Sequence, residues 1–188
     1  MNRGVIYTPN GMLGGRSTRL HTVLVMWALC LALRFPANAQ DSASSVSVQL
    51  DSKNAGPRVV ESLTERAILR DYRSAWAGIS HALEFNVVDP IEQPFTGDAK
   101  SVLKETIASQ QKSSMRQRYV AQNHKLEAVF YAPEGDVIEL HDTAEYQQQI
   151  LDGGKTIQEQ RVVLHYVVLM TPSADRWVIR QLQSVPQF

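Results

Sequence analysis

The stretch HYVVLMTPSADRWVIRQLQ, residues 165–183, decides the fold more than any other part of the chain. A continuous apolar run ends at the residues TPSAD, and a second apolar run begins at Trp177. Two apolar runs separated by a short segment with Pro, Ser and Asp are typical of a β-hairpin. The polar residues within these runs, His165 and Gln181 among them, are therefore expected to face one side or the other of a sheet.

Working back from this hairpin, the apolar pattern predicts four strands in succession. They cover residues 125–132, 137–150, 156–170 and 176–185, and the connections are PEGD, DGGK and TPSAD. Short connections that are rich in Gly, Pro and Asp join antiparallel neighbours. The second half of the chain is therefore predicted to be a curved, four-stranded antiparallel meander.

Two helices are predicted ahead of the meander. Within residues 59–86 the apolar residues recur at steps of three and four, which places them on one face of a helix. Asn86 is suited to end this helix, and Gly78 in its middle marks either a close approach of another element or a bend. A second helix is expected to begin near Thr96 or Asp98, because either side chain can cap it. Helices followed by an antiparallel sheet form an α+β fold.

The first 39 residues have the pattern of a signal peptide. Basic residues precede the apolar stretch HTVLVMWALCLAL, and the sequence ANA at 37–39 fits a cleavage site before Gln40. Met12 is an alternative start. A retained membrane anchor is the competing interpretation, since Arg34 interrupts the approach to the cleavage site. We therefore expect an exported protein, periplasmic or secreted, or else a membrane-anchored one.

Residues 40–58 are rich in Ser, Asp, Asn and Gly, which predicts a disordered linker before a single domain at residues 59–188. Cys30 is the only cysteine of the chain and precedes the cleavage site, so a cleaved protein has no thiol nucleophile and no thiolate metal ligand. From Gln40 onward there are 15 basic and 19 acidic residues, a net charge of −4, with no basic patch suited to nucleic acid. We expect no metal, no cofactor and no nucleic-acid partner.

This order of elements resembles the nuclear transport factor 2-like superfamily, whose cone-shaped fold has a long N-terminal helix and a curved sheet. The residues that carry the resemblance are ILRDYRSAWAGISHAL for the helix, GGKTIQEQRVVLHYVVLMTPSADRWVIRQLQ for the last hairpin, and Trp177 at the start of the final strand. The stretch PFTGDAKSVLKETI followed by the meander is similar to the IMS-type branch, which includes non-catalytic membrane-associated domains. The enzymes of the superfamily, such as ketosteroid isomerases and polyketide cyclases, hold acid and base residues inside the cone. None of their motifs can be matched to residues of this sequence.

The predicted turns indicate which residues face each other across the meander. Tight turns at EG and GG, with TPSAD as a five-residue loop, place Glu127, Asp142, His165 and Gln181 in one row on one face. Trp177 lies on the same face among apolar residues, and a polar row beside an apolar floor is typical of a ligand-binding pocket. Asp142 would orient His165 as a general base, which makes these two the candidate catalytic residues. The alternative is a row of solvated polar side chains.

Three functions remain open at this stage. The sequence favours a non-enzymatic exported domain that binds a small apolar ligand or a protein partner, because its architectural pattern is stronger than any chemical motif. Such a domain is expected to form a homodimer through a face of its sheet. The second function is a small enzyme that uses Asp142 and His165 for acid–base chemistry. The third is a membrane-tethered assembly domain, with membrane contact only if the N-terminal segment is retained.

Overall fold

The computed structural model describes residues 45–188. Its elements are, in order, β1 (Val46–Asp51), α1 (Ser62–Phe85), α2 (Asp89–Glu92), α3 (Gly97–Ser113), β2 (Met115–Tyr131), β3 (Ile138–Asp152), β4 (Lys155–Ser173) and β5 (Arg176–Val185). The strands form one sheet in the order β1-β2-β3-β4-β5. Helices packed on this sheet make an α+β fold, as predicted. The predicted signal peptide or anchor lies outside the described residues, and none of the helices within them is long and apolar enough to cross a membrane.

Helix α1 buries the apolar face that its sequence predicts. Its buried residues recur at helical spacing and include Ile68, Tyr72, Trp76 and Ile79. Asn86 ends the helix in the left-handed conformation with φ 55°, which Asn tolerates better than most residues. A Cβ added at Gly78 would lie 2.7 Å from the carbonyl oxygen of Pro90, which confirms that the glycine permits a close approach of α2.

The helices fill the space between the two ends of a curved sheet. Helix α1 lies against β1, β2 and β5, and α3 lies against β2 and β5. Within residues 45–188, the backbones of α1 and α3 lie farther from β3 and β4 than from the strands that they pack against. Side chains from α1, β3 and β4 therefore meet across the interior, and Trp76 of α1 is the largest of those that are fully buried.

The prediction of a disordered linker at residues 40–58 is corrected by the first strand in the part that the structure describes, residues 45–58. Val46–Asp51 forms β1, which pairs in parallel with β2 and makes a fifth strand beside the four predicted. Its apolar residues Val46, Val48 and Leu50 alternate with polar ones, and this period of two is the strand pattern. The Ser-rich composition of the segment concealed that alternation. Val48 is buried in the core, which stabilises β1 at the sheet edge.

The predicted strands are confirmed, but β2 begins earlier than predicted. It starts at Met115 rather than near residue 125, because its first half, MRQRYVAQNH, is mostly polar. Within that half, Ala121 has a positive φ of 52° at a register shift between Val120 and Asn123. A bulge of this kind bends a strand and increases its twist, which accounts for the curvature of the sheet around the helices.

Bulges also correct the predicted register. The first two turns keep the predicted pairing, since Tyr131 faces Ile138 and Asp152 faces Lys155. A shift between Ile150 and Leu151 then moves the pairing by one residue, so that Asp142 faces Tyr166 instead of His165. A shift between Ala128 and Phe130 likewise pairs Asp142 with Leu126 instead of Glu127. Because successive strand residues point to opposite faces, each slip transfers a predicted neighbour to the other side of the sheet.

The last hairpin departs further from the predicted pairing. Strand β4 continues to Ser173, which faces Arg176 across a two-residue turn, so TPSAD is not a five-residue loop. Gln181 therefore faces Leu169 instead of His165, and His165 faces Val185 at the end of β5. Ala174 adopts a positive φ of 53° in this tight turn, which nothing in the apolar pattern indicates.

Candidate functional site

A buried hydrogen-bonded group lies at the centre of the inner face of the sheet. Tyr72 of α1 donates its O–H to Asp142 Oδ2 over 2.7 Å, and His124 Nδ1 lies 2.8 Å from the same oxygen. Asp142 and His124 both have an exposed fraction of 0%, and Tyr72 is equally buried. A carboxylate with two donors is the arrangement that a buried acid requires. Burial, and then the charge of Asp142, raise the pKa of Tyr72 well above its usual value, so its hydroxyl keeps the donated proton.

Aromatic rings surround this group. The ring of Trp76 packs on the ring of His124 with centroids 4.3 Å apart. Three buried atoms, Trp76 Nε1, His124 Nε2 and Asp142 Oδ1, have hydrogen-bonding capacity that no described residue uses. The central group is sealed from solvent by its neighbours, so a substrate outside the domain cannot reach Asp142 or His124. Its evident role is to connect α1, β2 and β3.

Three tyrosines, Tyr119, Tyr146 and Tyr166, lie between this buried group and the surface. We call them the tyrosine cluster. The rings of Tyr119 and Tyr146 are 4.6 Å apart, and the ring of Tyr166 lies 5.6 Å from that of Trp76. The hydroxyl oxygens of Tyr146 and Tyr166 are 3.5 Å apart, which is the outer limit of a hydrogen bond.

Burial controls the ionisation of the tyrosine cluster. It raises the pKa of Tyr166 to about 12, and it raises the pKa values of Tyr119 and Tyr146 further. A phenol is protonated at neutral pH even without such a shift, so all three carry an O–H, and that of Tyr119 is already donated to Gln117 Oε1.

The tyrosine cluster continues into an apolar surface on β4. Val162 and Leu164 face the same side of the sheet as Tyr166, since they pair with Tyr146 and Ala144 of β3. Both are only partly buried, whereas Val168 and Met170 further along the same face are fully covered. We call Val162 and Leu164 the mouth. An apolar surface that leads to a few phenol donors has the composition of a small-molecule binding site.

The predicted polar row does not form. Asp142 points into the interior, whereas Glu127 and His165 lie on the outer face, because each pairs with a residue adjacent to Asp142, namely His141 and Thr143. Asp142 and His165 therefore cannot act as a catalytic pair, and the register slips described above are the reason.

The other predicted binding residues lie elsewhere. Gln181 bonds to Gln183 within β5. Trp177 is buried beside Tyr131 and donates its backbone N–H to Asp71 over 2.8 Å, so it holds the start of β5 against α1. Both are remote from the tyrosine cluster in the sheet, and neither is placed to share a pocket with Asp142.

On the outer face, His165 is close to the end of the chain. Its Nδ1 lies 3.3 Å from Thr143 Oγ1, and its ring meets that of Phe188 edge to face at 5.1 Å. Phe188 also stacks on His141, with centroids 4.2 Å apart. Among residues 45–188 no group of three or more His, Cys, Asp and Glu side chains is arranged to hold a metal ion.

The residues that do meet Asp142 were missed by reasoning from the sequence. Tyr72 belongs to the apolar stripe of α1, and the prediction treated it as core. His124 falls just before the predicted first strand, in a polar stretch that carries no strand pattern. A signal was nevertheless present, because His124, Leu126 and Ala128 alternate with polar residues and extend the strand backward by a period of two.

Comparison with known proteins gives a fold and no family. No family model and no curated protein matches the chain. The structure is similar to the intermembrane space region of the chloroplast protein ARC6, with a TM-score of 0.53 and 13% sequence identity. The similarity covers 69% of this chain and 98% of that one. At this identity the match supports the α+β fold, and the resemblance to the nuclear transport factor 2-like superfamily stays a prediction.

Proposed function

We propose that the protein is an exported, non-enzymatic domain that binds a small, largely apolar ligand at the tyrosine cluster. The observation that carries the proposal is the pair of hydroxyls on Tyr146 and Tyr166, 3.5 Å apart, beside the partly exposed mouth. The apolar body of a ligand would pack on Val162 and Leu164. An acceptor such as a carbonyl or carboxylate would take hydrogen bonds from the two phenols.

Among residues 45–188, the candidate catalytic side chains do not reach the mouth, which supports binding rather than catalysis there. Asp142 and His124 are sealed, and His165 lies on the opposite face of the sheet. The phenols of the tyrosine cluster are protonated at neutral pH, as an ordinary tyrosine is, and burial raises their pKa values further, so they are poor general bases there. In the described part of the chain, the inner face around the mouth carries the phenols, apolar side chains and the side-chain amides of Gln148 and Gln160.

The binding experiment uses 8-anilinonaphthalene-1-sulfonate, which joins an apolar body to an anionic acceptor. We expect saturable binding that quenches the fluorescence of Trp76, whose ring contacts Tyr166. Leu164→Glu should weaken binding at least about tenfold, because it places a charge at the mouth. Tyr166→Phe, which removes one hydroxyl and keeps the ring, should weaken it by about three- to tenfold, the loss of one hydrogen bond.

Val163→Glu is the matched control, since Val163 is adjacent to the mouth in sequence and points to the outer face. Its affinity for the probe should equal that of the unchanged protein. An equal loss for Val163→Glu and Leu164→Glu, or no loss for Leu164→Glu, would refute binding at the mouth.

The exported location is the second part of the proposal. The fold resembles a domain that lies between two membranes in ARC6, which is consistent with a domain outside the cytoplasm. N-terminal sequencing of the protein from its native host should yield Gln40. A chain that still begins at Met1 or Met12 would instead favour the membrane-tethered assembly domain.

A further inference from the structure

We propose that two copies of the chain join edge to edge along residues 155–164 of β4, which continues the sheet from one copy into the other. The inference is independent of ligand binding at the mouth, because it concerns the main chain and the outer side chains of this segment.

Within residues 45–188, the edge of β4 is open along this segment. Strand β5 pairs with β4 only from His165 onward, where its partner is Val185. Pro186 follows, and because it has no N–H it cannot extend the ladder. The chain then turns onto the outer face, where Phe188 stacks on His141. No strand among residues 45–188 therefore pairs with residues 155–164 on the side away from β3.

An open edge presents unpaired N–H and C=O groups and is a template for another strand. Globular proteins protect such an edge with proline, a very short strand, charged side chains or a bulge. The segment KTIQEQRVVL has no proline, and beyond a bulge at Ile157 its residues 158–164 continue a regular ladder with β3. Two of its apolar side chains are exposed, Ile157 to 59% and Val163 to 53%.

The sequence of the edge is complementary to itself in one antiparallel register. With a two-fold axis at Gln160, Glu159 of one copy faces Arg161 of the other, and the reverse pair forms by symmetry. Ile157, at the bulge that ends this ladder, then lies next to Val163 of the other copy, so the two exposed apolar side chains can cover each other. An axis at Glu159 or at Arg161 would instead oppose two like charges, which destabilises a strand pair.

The contacts that Glu159 and Arg161 make within their own chain do not prevent them from pairing with the other copy. Arg161 forms an ion pair with Glu145 of its own chain while its side chain stays 70% exposed, and Glu159 accepts a hydrogen bond of 3.3 Å from Gln149. In the paired state Arg161 would lie between two carboxylates. This reciprocal match of charges and of apolar residues favours a second copy of the chain as the partner that pairs with this edge.

The test measures dimerisation of the full chain, purified as the cell processes it, by sedimentation equilibrium. We expect a dimer whose dissociation constant rises at least about tenfold in Glu159→Arg and in Arg161→Glu, because each reversal creates two repulsive pairs. The double variant restores opposite charges across the axis and should recover most of the affinity. Glu105→Arg, an exposed reversal on α3, should leave the dimer unchanged.

A second measurement locates the axis. In a Cys30→Ser background, Gln160→Cys should form a disulfide-linked dimer on mild oxidation, because residues at the axis of an antiparallel pair lie within disulfide reach. Ser101→Cys on α3 should not. A protein that is monomeric throughout the concentration range would overturn the proposal. So would a dimer that Gln160→Cys fails to link, or one in which the double charge reversal is no tighter than the single ones.

Discussion

Replacement of Asp142 is expected to be among the most destabilising single changes in the domain. The carboxylate accepts hydrogen bonds from Tyr72 over 2.7 Å and from His124 over 2.8 Å, and all three side chains are buried. Hydrogen bonds to a charged group contribute about 1.5–3 kcal/mol each. Because the donors of Tyr72 and His124 would be left buried and unpaired, Asp142→Ala should lower the free energy of unfolding by about 3–5 kcal/mol.

Asp142→Asn should lower the free energy of unfolding by less, about 1–3 kcal/mol. The amide oxygen still accepts a hydrogen bond, but the new NH₂ group is buried without an acceptor. Urea denaturation followed by tryptophan fluorescence measures both values. Asp136→Ala, at an exposed turn position, is the control and should change stability by less than about 0.5 kcal/mol. If Asp142→Ala also stays within about 1 kcal/mol of the unchanged protein, the buried hydrogen-bonded group does not stabilise the fold and the reasoning fails.

Three further predictions concern other parts of the fold. Gly78→Ala should lower the free energy of unfolding by about 1–2 kcal/mol, although Ala has the higher helix propensity. The reason is that the new Cβ would lie 2.7 Å from the carbonyl oxygen of Pro90. A gain in stability would contradict the close approach of α2. Above about pH 10 an unfolded chain ionises its tyrosines, while the raised pKa of Tyr146 keeps its proton in the folded state. The free energy of unfolding should thus fall as pH rises, and less steeply in Tyr146→Phe; equal slopes in denaturation series would argue against a buried phenol. Val48→Asp should lower the melting temperature while Gln49→Asp leaves it nearly unchanged, because only Val48 faces the core; a disordered linker would tolerate both.

The helices and most strands could be predicted because their apolar period is strong and local. The stripe of α1 and the ending at Asn86 are properties of consecutive residues, and so is the apolar run of β4. Strand β1 and the first half of β2 were missed. Their apolar residues do alternate with polar ones, but they stand in Ser-rich or polar sequence that resembles a linker. Their strand conformation depends on pairing with each other and with β3, which a local pattern does not contain.

The candidate site could not be predicted, because it depends on register. Asp142 was singled out as a candidate, but its partners Tyr72 and His124 come from an apolar helix stripe and from a strand start that was not recognised. The bulges near Val129 and Ile157 each move the pairing by one residue. A single such slip was enough to transfer His165 from the predicted neighbour of Asp142 to the opposite face.

The most direct test of ligand binding at the tyrosine cluster is a methyl-labelled NMR titration with 8-anilinonaphthalene-1-sulfonate. Val162 and Val163 are consecutive residues whose methyl groups point to opposite faces of β4, so they report on the two sides of the sheet under one set of conditions. We expect nuclear Overhauser contacts from the probe to Val162 and Leu164, and none to Val163 or Val167. Contacts confined to Val163 and Val167 would place the binding surface on the outer face and contradict the proposed site.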